Sequence, residues 1–405
     1  LTAASDGSTV ETPRPPPTAA VTAPLPGGVR AANGPATVTR SNTTVVQGVP
    51  THDTPYVQAS NNPLNTSVAD LTVYPQNASD PNSDALSYVY DWRRNGGSIT
   101  TLNIPFNTKV NENTTSAIRD YSTQEANATL RDTDDLNFEP NGPLPKWRAD
   151  CVNGGCYSFD GDDDEIRVTE PYQPTSGPFT ASVWVKTSGF NDNRQSTLIG
   201  TSNGTAGWRL LDDGQYNPDI KFRWYSGGYN DISVNRSVVN DGYWHHLVGV
   251  YEYGEQRLYV DGDLVATGNS TNGYRSGGRR PVIGDFNGDA GGGRIDEVQV
   301  FDRPLGEEQV KELYTEYNES LWGVSAYNTS TFVAEETVAG ERYSSAVTLS
   351  DGNATSATKV SNELYVEPSI CTGSNVTVPG KNTLEWQSSG QKEVVWDGSG
   401  NISVK

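Results

Sequence analysis

The stretch that decides the fold is DGYWHHLVGVYEYGEQRLYVDGDLV, residues 241–265. Two of the chain's three histidines stand here beside Trp244, and two strand-like runs follow, joined by Asp-Gly at 261–262. If side chains alternate between the two faces of a strand, both faces of the run 244–251 are largely apolar, which is typical of an inner strand of a sheet. The Asp-Gly pair predicts a tight hairpin. This stretch therefore predicts the wall of a β-sandwich.

The histidines raise the question of a catalytic centre. The sequence places no acid or nucleophile beside His245 or His246. We therefore predict a structural role, in which the imidazoles satisfy buried backbone groups at a sheet edge.

Composition sets the class of protein. The 405 residues allow two or three domains, and many short β-type runs between Gly, Asn, Asp and Pro predict all-β domains. The formal net charge of −21 would repel phosphate backbones, which excludes nucleic acid as a partner. No apolar run approaches the roughly 18 residues of a membrane span. Abundant acids, mostly Arg among the bases and no Met give the impression of a salt-loving organism.

An exterior location is predicted from the sequons. The chain reads as a processed, soluble protein of the extracellular space or cell surface, with a virion surface as an alternative. Thirteen Asn-x-Ser/Thr sequons favour glycosylation there. They lie at Asn42, Asn65, Asn77, Asn113, Asn127, Asn203, Asn235, Asn269, Asn318, Asn328, Asn353, Asn375 and Asn401.

Three cysteines are too few for a disulfide scaffold. Cys151 and Cys156 flank a flexible Asn-Gly-Gly centre that can close a small loop, so we predict a bridge between them. Cys371 is then left over, either buried and inert or paired between chains.

Four ordered blocks carry a resemblance to a known family. YSFDGDDDEIRV at 157–168, FTASVWVKT at 179–187, the opening segment continued to 268, and PVIGDFNGDAGGGRIDEVQVFDRPLGEEQVKELY at 281–314 resemble the successive signatures of a laminin-G-like domain. Such domains belong to the concanavalin-A-like jelly-roll superfamily. The resemblance covers about residues 101–318 and implies that the Trp-His-His strand is framework.

The flanks predict a second domain. Residues 1–35 are rich in Pro, Ala, Thr and Gly and are expected to form an extended tail. Residues 36–100 and 319–368 supply a few strands each, too few for separate cores. They resemble the halves of Ig-like domains that, in archaeal surface proteins, are interrupted by a laminin-G-like insertion. Two separate small β-domains are the alternative, and 369–405 is expected to be a short C-terminal β segment.

Enzyme activity is not expected. Glycoside hydrolases of this superfamily need two carboxylates about 5 to 10 Å apart that face one cleft. Asp296 and Glu297 are adjacent, so strand alternation predicts that they point to opposite faces. The acids at 162–164 read as a solvated loop. We therefore predict a non-catalytic protein, with glycoside hydrolysis as the weaker alternative.

A structural calcium ion is implied by the resemblance. Acid-rich turns supply the oxygen ligands that Ca²⁺ prefers, and no Cys/His spacing suits Zn²⁺. Relatives with FDG early and IDEV late often bind one Ca²⁺ where these segments meet. Carried over to matching positions, the ligands are Asp160, the Gly161 carbonyl and Asp296.

Ligand recognition is expected in loops, because framework strands are occupied by packing. RWYSGGYND and STNGYRSGGRR offer aromatic rings on which sugars stack, with ordinary loop composition as the alternative. The candidate residues are Trp224, Tyr225, Tyr229, Tyr274 and Arg275.

Two function classes follow from these observations. One is a structural subunit of a surface filament or envelope that presents a lectin-like adhesion domain. The other is a monomeric carbohydrate-binding adhesin module. For the first we predict self-association into a polymer, in which the tail 1–35 adds a strand to an open sheet edge of a neighbouring chain. The alternative is a tail that wraps its own chain.

Overall fold

The computed structural model describes the chain from Gly48 onward with gaps. The described residues are 48–61, 65, 68–111, 114–132, 144–160, 164–169, 177–189, 195–201, 206–214, 219–225, 227–270, 280–284, 293–321 and 328–367, and four short strands beyond 374. The predicted tail 1–35 and the leftover Cys371 lie outside them.

The strands follow one another in chain order with a single α-helix among the described residues. They are β1 Thr51–Ala59, β2 Leu71–Ser79, β3 Ser87–Arg94, β4 Gly97–Ser98, β5 Thr100–Ile104, β6 Ala128–Asp132, β7 Lys146–Arg148, β8 Cys156–Phe159, β9 Asp164–Val168, β10 Phe179–Lys186, β11 Gln195–Gly200, β12 Trp208–Asp213, β13 Asp219–Tyr225, β14 Tyr229–Asn235, β15 Trp244–Glu252, β16 Glu255–Val260, β17 Asp263–Asn269, β18 Val282–Ile283, β19 Gly293–Phe301, β20 Ser330–Phe332, β21 Arg342–Ser350, β22 Lys359–Val360, β23 Leu364–Tyr365, β24 Asn375–Val376, β25 Leu384–Glu385, β26 Val394–Trp396 and β27 Ile402–Val404. Helix α1 is Glu307–Leu321.

Two large antiparallel sheets face each other and form the large sandwich. The first has the order β17-β16-β15-β10-β19-β8-β7, with β5 also paired to β19. The second has the order β14-β13-β12-β11-β18-β9-β6. Side chains from both sheets share one apolar core, which includes Phe179, Trp208, Phe222 and Leu247. The all-β jelly-roll prediction is confirmed.

A smaller flanking sandwich is built from both flanks of the large one. Its sheets are β1-β2-β20 and β22-β21-β3-β4, with β23 also on β21. Strand β3 pairs with β21 over eight consecutive residues, from Arg94 opposite Tyr343 to Ser87 opposite Ser350. Trp92 on β3 also donates a hydrogen bond through Nε1 to Ser330 Oγ, at 3.1 Å. Segments about 250 residues apart therefore share one sandwich, as the sequence predicts, while its Ig-like identity stays a prediction.

The inner strand β15 explains why both of its faces are apolar. Leu247 and Tyr251 join the core of the large sandwich. Val248 and Val250 join a second core, together with residues of α1 and of the flanking sandwich. Strand β15 is therefore covered on one face by the opposing sheet and on the other by the helix and the flanks.

Helix α1 is placed by its own sequence pattern. Val310, Leu313, Tyr314 and Tyr317 recur at helical spacing and form one apolar face. Glu307 and the next residue put negative charge in the first turn, where the helix dipole favours it. The apolar face packs on the outer side of the first sheet, where Tyr314 stacks on Trp184 at 5.7 Å between ring centroids. Among the described residues, no helix has the length and apolar character needed to cross a membrane.

Candidate functional site

The candidate site is the polar sheet face, defined as the side of β11–β14 that points away from the core. Strand alternation creates it. On β13, Ile220, Phe222 and Trp224 enter the core, so Lys221 and Arg223 point to the opposite side. The register continues this face onto the neighbouring strands, because Arg223 stands opposite Asp231 on β14 and opposite Arg209 on β12.

An ion-pair network holds the centre of the polar sheet face. The Arg223 guanidinium donates to both carboxylate oxygens of Asp231, at 2.7 Å each, and to Asp213 at 3.2 Å. Lys221 Nζ donates to Asp213 Oδ2 at 2.6 Å. Gln195 Nε2 donates to the other Asp213 oxygen at 2.7 Å. Since three strand pairings hold the five side chains in place, the network is a rigid support.

Burial and ion pairing have opposite effects on the pKa values of the charged groups in this network. Burial by itself would lower the pKa of Arg223, but the hydrogen bonds and charge of Asp231 raise it. For Asp213, burial by itself would raise the pKa, while the hydrogen bonds from Lys221 and Gln195 bring it below its usual value. Both groups therefore remain charged at neutral pH.

Tyr229 is the ring that this network supports. The Arg223 guanidinium lies over the Tyr229 ring at 4.4 Å from its centroid, an attractive cation–π geometry. Tyr225 contacts the same ring edge-on at 4.8 Å. The charge of Tyr225, followed by burial, raises the pKa of Tyr229. Tyr229 is nevertheless 63% exposed, so an aromatic surface is held in place and offered to solvent.

The ligand-binding residues predicted from the sequence divide into three groups. The prediction for Trp224 is wrong. Its ring is fully buried in the sandwich core, with its centroid 4.9 Å from that of Tyr251, and is not on the surface. Tyr225 is buried beside Tyr229, and both belong to strands β13 and β14, not to loops. Tyr274 and Arg275 lie outside the described residues. Arg223 and Asp231 were not predicted from the sequence. The alternation in KFRWY was the available signal for Arg223, because it places Arg223 on the face opposite to the core residues Phe222 and Trp224.

The two histidines have side-chain partners that the sequence did not reveal. His245 Nδ1 lies 2.7 Å from Asp261 and its Nε2 lies 3.0 Å from Asp241. Burial by itself would lower the pKa of His245, but the two carboxylates raise it. The expectation that no acid stands beside it is wrong, because a hairpin and a turn bring these aspartates back to it.

His246 has a different environment. Its Nε2 lies 2.8 Å from Ser182 Oγ, and its ring stacks on Trp184 at 5.1 Å. A serine–histidine contact alone could indicate a nucleophile, but His246 is 1% exposed and its Nδ1 has no hydrogen-bond partner among the described residues. Burial lowers the pKa of His246 to about 3. The pair is part of the framework beneath helix α1.

The adjacent acids Asp296 and Glu297 do not point to opposite faces, which corrects the expectation from alternation. A bulge breaks the register of β19 against β10, and Glu297 has a φ of 46°. Both side chains reach Asn153, whose backbone N–H donates to Asp296 Oδ2 at 3.3 Å and whose Nδ2 donates to Glu297 Oε1 at 2.9 Å. Burial raises the pKa of both acids well above the usual range.

The predicted calcium ligands do not by themselves fit an ion. Asp296 already accepts hydrogen bonds from the backbone N–H groups of Val152 and Asn153. Phe159 stands opposite Gly293, so the next residue, Asp160, lies beyond that end of the pairing and away from Asp296. Gly161 is outside the described residues, which contain no cluster of three or more acidic, histidine or cysteine side chains placed to hold a metal. The calcium site stays a prediction.

Covalent features have the following positions. Cys151 and Cys156, the pair predicted from the sequence, are joined by a disulfide that closes the loop carrying Asn153.

Five of the sequon asparagines are exposed: Asn77, Asn235, Asn269, Asn328 and Asn353. Asn65 and Asn127 are partly buried. For Asn42, Asn113, Asn203, Asn318, Asn375 and Asn401, the side chain lies outside the described part.

Comparison with solved structures finds chains that are similar to part of this one. Domain 4 of AbnA, a GH43 extracellular arabinanase from Geobacillus stearothermophilus in complex with arabinotriose, is 16% identical, with 55% of this chain and 99% of that chain covered and a TM-score of 0.42. The binding domain of Paraclostridial Mosquitocidal Protein 1 is 16% identical, with 54% and 52% covered and a TM-score of 0.41. The receptor binding domain of botulinum neurotoxin D is 15% identical, with 54% and 52% covered and a TM-score of 0.39. The chain thus spans about half of either toxin domain.

Sequence comparison finds a family similarity for part of the large sandwich. No curated protein matches the chain. The family model Laminin_G_3, described as the concanavalin A-like lectin/glucanases superfamily, matches residues 160–311. This range runs from the end of β8 to the first turn of α1 and includes the polar sheet face. Residues 160–311 are therefore similar to the concanavalin A-like lectin/glucanases superfamily.

Proposed function

We propose that the protein is a non-catalytic, carbohydrate-binding protein of the extracellular space or cell surface, and that it holds its ligand on the polar sheet face. The observation that carries the proposal is the Tyr229 ring, which is mostly exposed and fixed on the Arg223 guanidinium. It lies within residues 160–311, which are similar to a superfamily that is described by its lectins and glucanases.

The chemistry of the polar sheet face suits a sugar. An aromatic ring offers an apolar surface to the C–H face of a pyranose, and Tyr is favoured where one end of the side chain stays wet. Beside it, the partly exposed Asp231 carboxylate can accept from sugar hydroxyls, while Asp213, Lys221 and Arg223 are buried and serve as its support. Because Asp213 and Asp231 are paired with Lys221 and Arg223, and Arg209 adds one positive charge on the same face, the net charge of these five side chains is only +1. This balance favours a polyol over a strongly charged ligand.

The non-catalytic part of the proposal rests on where the acids lie. A hydrolase needs two carboxyl groups that flank the scissile bond. Asp296 and Glu297 are 0% and 2% exposed and are bound to the disulfide loop, so a polysaccharide cannot reach them. On the polar sheet face, both Asp213 and Asp231 are already engaged in ion pairs with Arg223. Neither is placed as a general acid.

Binding to a glycan array tests the proposal. We expect binding by the unaltered protein and a loss of about tenfold in affinity for Tyr229→Ala, since an aromatic contact contributes ~0.5–1.5 kcal/mol beyond its area. Tyr253→Ala is the matched control, because Tyr253 is 78% exposed in the turn between β15 and β16 and is outside the polar sheet face. Equal binding by both variants, or no binding to any glycan in calcium and molar salt, would contradict the proposal.

The filament role is a finer proposal, and the flanking sandwich bears on it. A tail that adds a strand needs an open edge. On the outer edge of β1, the Asn362 side chain already accepts from Val57 N at 2.8 Å and donates to Val57 O at 3.2 Å. On the outer edge of β20, Gln309 does the same with Thr331 O and Val333 N. An incoming strand would have to displace one of these amides, and a monomeric adhesin remains the alternative.

A further inference from the structure

A small cavity lies where the large sandwich, helix α1 and the flanking sandwich meet. Its volume is about 30 Å³. Its lining includes Tyr90 on β3, Gln299 on β19, Leu313 and Glu316 on α1, and Ser330 on β20. Four elements from distant parts of the sequence therefore enclose it.

The Tyr90 hydroxyl is a buried polar group in the wall of this cavity. Tyr90 is buried, and among the described residues its hydroxyl has no hydrogen-bond partner. Buried hydroxyl groups are nearly always hydrogen-bonded, to protein or to ordered water. Burial raises the pKa of Tyr90 well above its usual value, and the nearby charge of Glu316 raises it further. The hydroxyl is therefore a donor at any ordinary pH.

Glu316 places a buried carboxyl group in the same cavity wall. It is buried, and its Oε2 accepts a hydrogen bond from Ser330 Oγ at 3.1 Å, while Ser330 in turn accepts from Trp92 Nε1. Within the described part of the chain, no lysine or arginine forms a salt bridge with it. Burial raises the pKa of Glu316 well above the usual range. A carboxyl group without a cation is thus held in the cavity wall near the Tyr90 hydroxyl.

We propose that this cavity is a hydration site, in which ordered water links the Tyr90 hydroxyl to the Glu316 carboxyl group. One water needs roughly 10–15 Å³ measured in the same way, so there is room for one or two molecules. A buried water makes two to four hydrogen bonds. Tyr90 donates, the carboxyl group of Glu316 accepts, and the amide of Gln299 in the lining supplies a further group.

The water has a structural consequence. Tyr90 belongs to the flanking sandwich, whereas Glu316 lies on helix α1, which packs on the large sandwich. Water between them extends the chain of hydrogen bonds that already runs from Trp92 through Ser330 to Glu316. The joint between the two sandwiches is therefore hydrated and polar at its centre, inside an otherwise apolar core.

A crystal structure of the full chain and a pair of matched variants test this site. We expect electron density for water within about 3.2 Å of both the Tyr90 hydroxyl and Glu316. Tyr90→Phe should lose that density and raise the equilibrium constant for unfolding about twofold to tenfold, as expected for one lost hydrogen bond. Tyr88→Phe is the control, since Tyr88 lies two residues earlier on β3, is only partly buried and does not line the cavity.

The sign of the Tyr90→Phe effect separates the alternatives. If the cavity were dry, removal of an unpaired hydroxyl would stabilise the protein, and that result would overturn the proposal. Density with ligand distances near 2.4 Å that responds to the choice of Na⁺ or K⁺ would also overturn it in favour of a cation. Loss of water together with a lowered unfolding midpoint, in the absence of any effect of Tyr88→Phe, would support it.

Discussion

Gly249 on the inner strand β15 gives the sharpest test of how the two large sheets meet. A Cβ atom added at Gly249 would lie 2.7 Å from two carbons of the Phe222 ring and closer still to a third. Phe222 comes from the opposing sheet and is fully buried, in edge contact with Phe179 at 5.9 Å. Because ring and strand are both held by packing, Gly249→Ala must push the sheets apart or move the ring.

The magnitude follows from two opposing effects. Forcing a methyl group into a packed core costs typically 1–3 kcal/mol. Replacing Gly by Ala also restricts the unfolded chain, which offsets ~0.4–1 kcal/mol of that cost. We therefore expect Gly249→Ala to lower the free energy of unfolding by about 1–2 kcal/mol, measured by guanidinium denaturation.

Two further variants make this test decisive. Gly228→Ala is the control, because a Cβ there meets no atom of the described residues within 4 Å, so this variant should be neutral or slightly stabilising. In the Phe222→Leu background, part of the clash is removed, and the cost of Gly249→Ala should shrink measurably. The described packing of β15 against β13 would be wrong if Gly249→Ala were as harmless as Gly228→Ala. It would also be wrong if Gly249→Ala lowered the free energy of unfolding equally in both backgrounds.

Three other predictions concern protonation, assembly and metal. Burial, with added charge from Asp213, raises the pKa of Asp212 to about 7; the folded state then holds the proton more tightly than the unfolded state, so stability is complete below about pH 4 and is lost as the pH rises through about 7. Asp212→Asn should flatten this fall in guanidinium unfolding curves between about pH 4 and 8, and an unchanged slope would contradict it. Deletion of residues 1–35 should convert polymers into folded monomers by light scattering and electron microscopy, whereas polymers of unchanged length would refute tail-mediated assembly. If Ca²⁺ is bound, chelator should lower the thermal midpoint; an unchanged midpoint and no metal by mass analysis would exclude it.

Local pattern made most of the fold predictable. The Asp-Gly turn and the two-residue period of residues 241–265 require antiparallel strands, since successive side chains alternate between faces. The strand β3 and the segment around β21 lack enough neighbours for a core of their own, which predicted that they would share one sandwich. Their direct pairing was found only in the structure. The family resemblance then added the jelly-roll arrangement of the strands.

The candidate site was less predictable, for a physical reason. Trp224 and Tyr229 look alike in a list of aromatic residues, but one has its ring in the core and the other has it on Arg223. Which face of β13 meets the opposing sheet decides between them. That is set by the packing of the two sheets and not by the loop composition from which both were predicted.

The all-β class, the tight turns and the acidic character of the protein follow from the sequence alone, because these depend on neighbouring residues and on total charge. Only the tertiary structure decided which acids and rings are available. The bulge in β19 brings Asp296 and Glu297 together at Asn153 and buries them beneath helix α1. Contacts of this kind join side chains more than 140 positions apart, and a local sequence pattern does not specify which individual side chains meet at that distance.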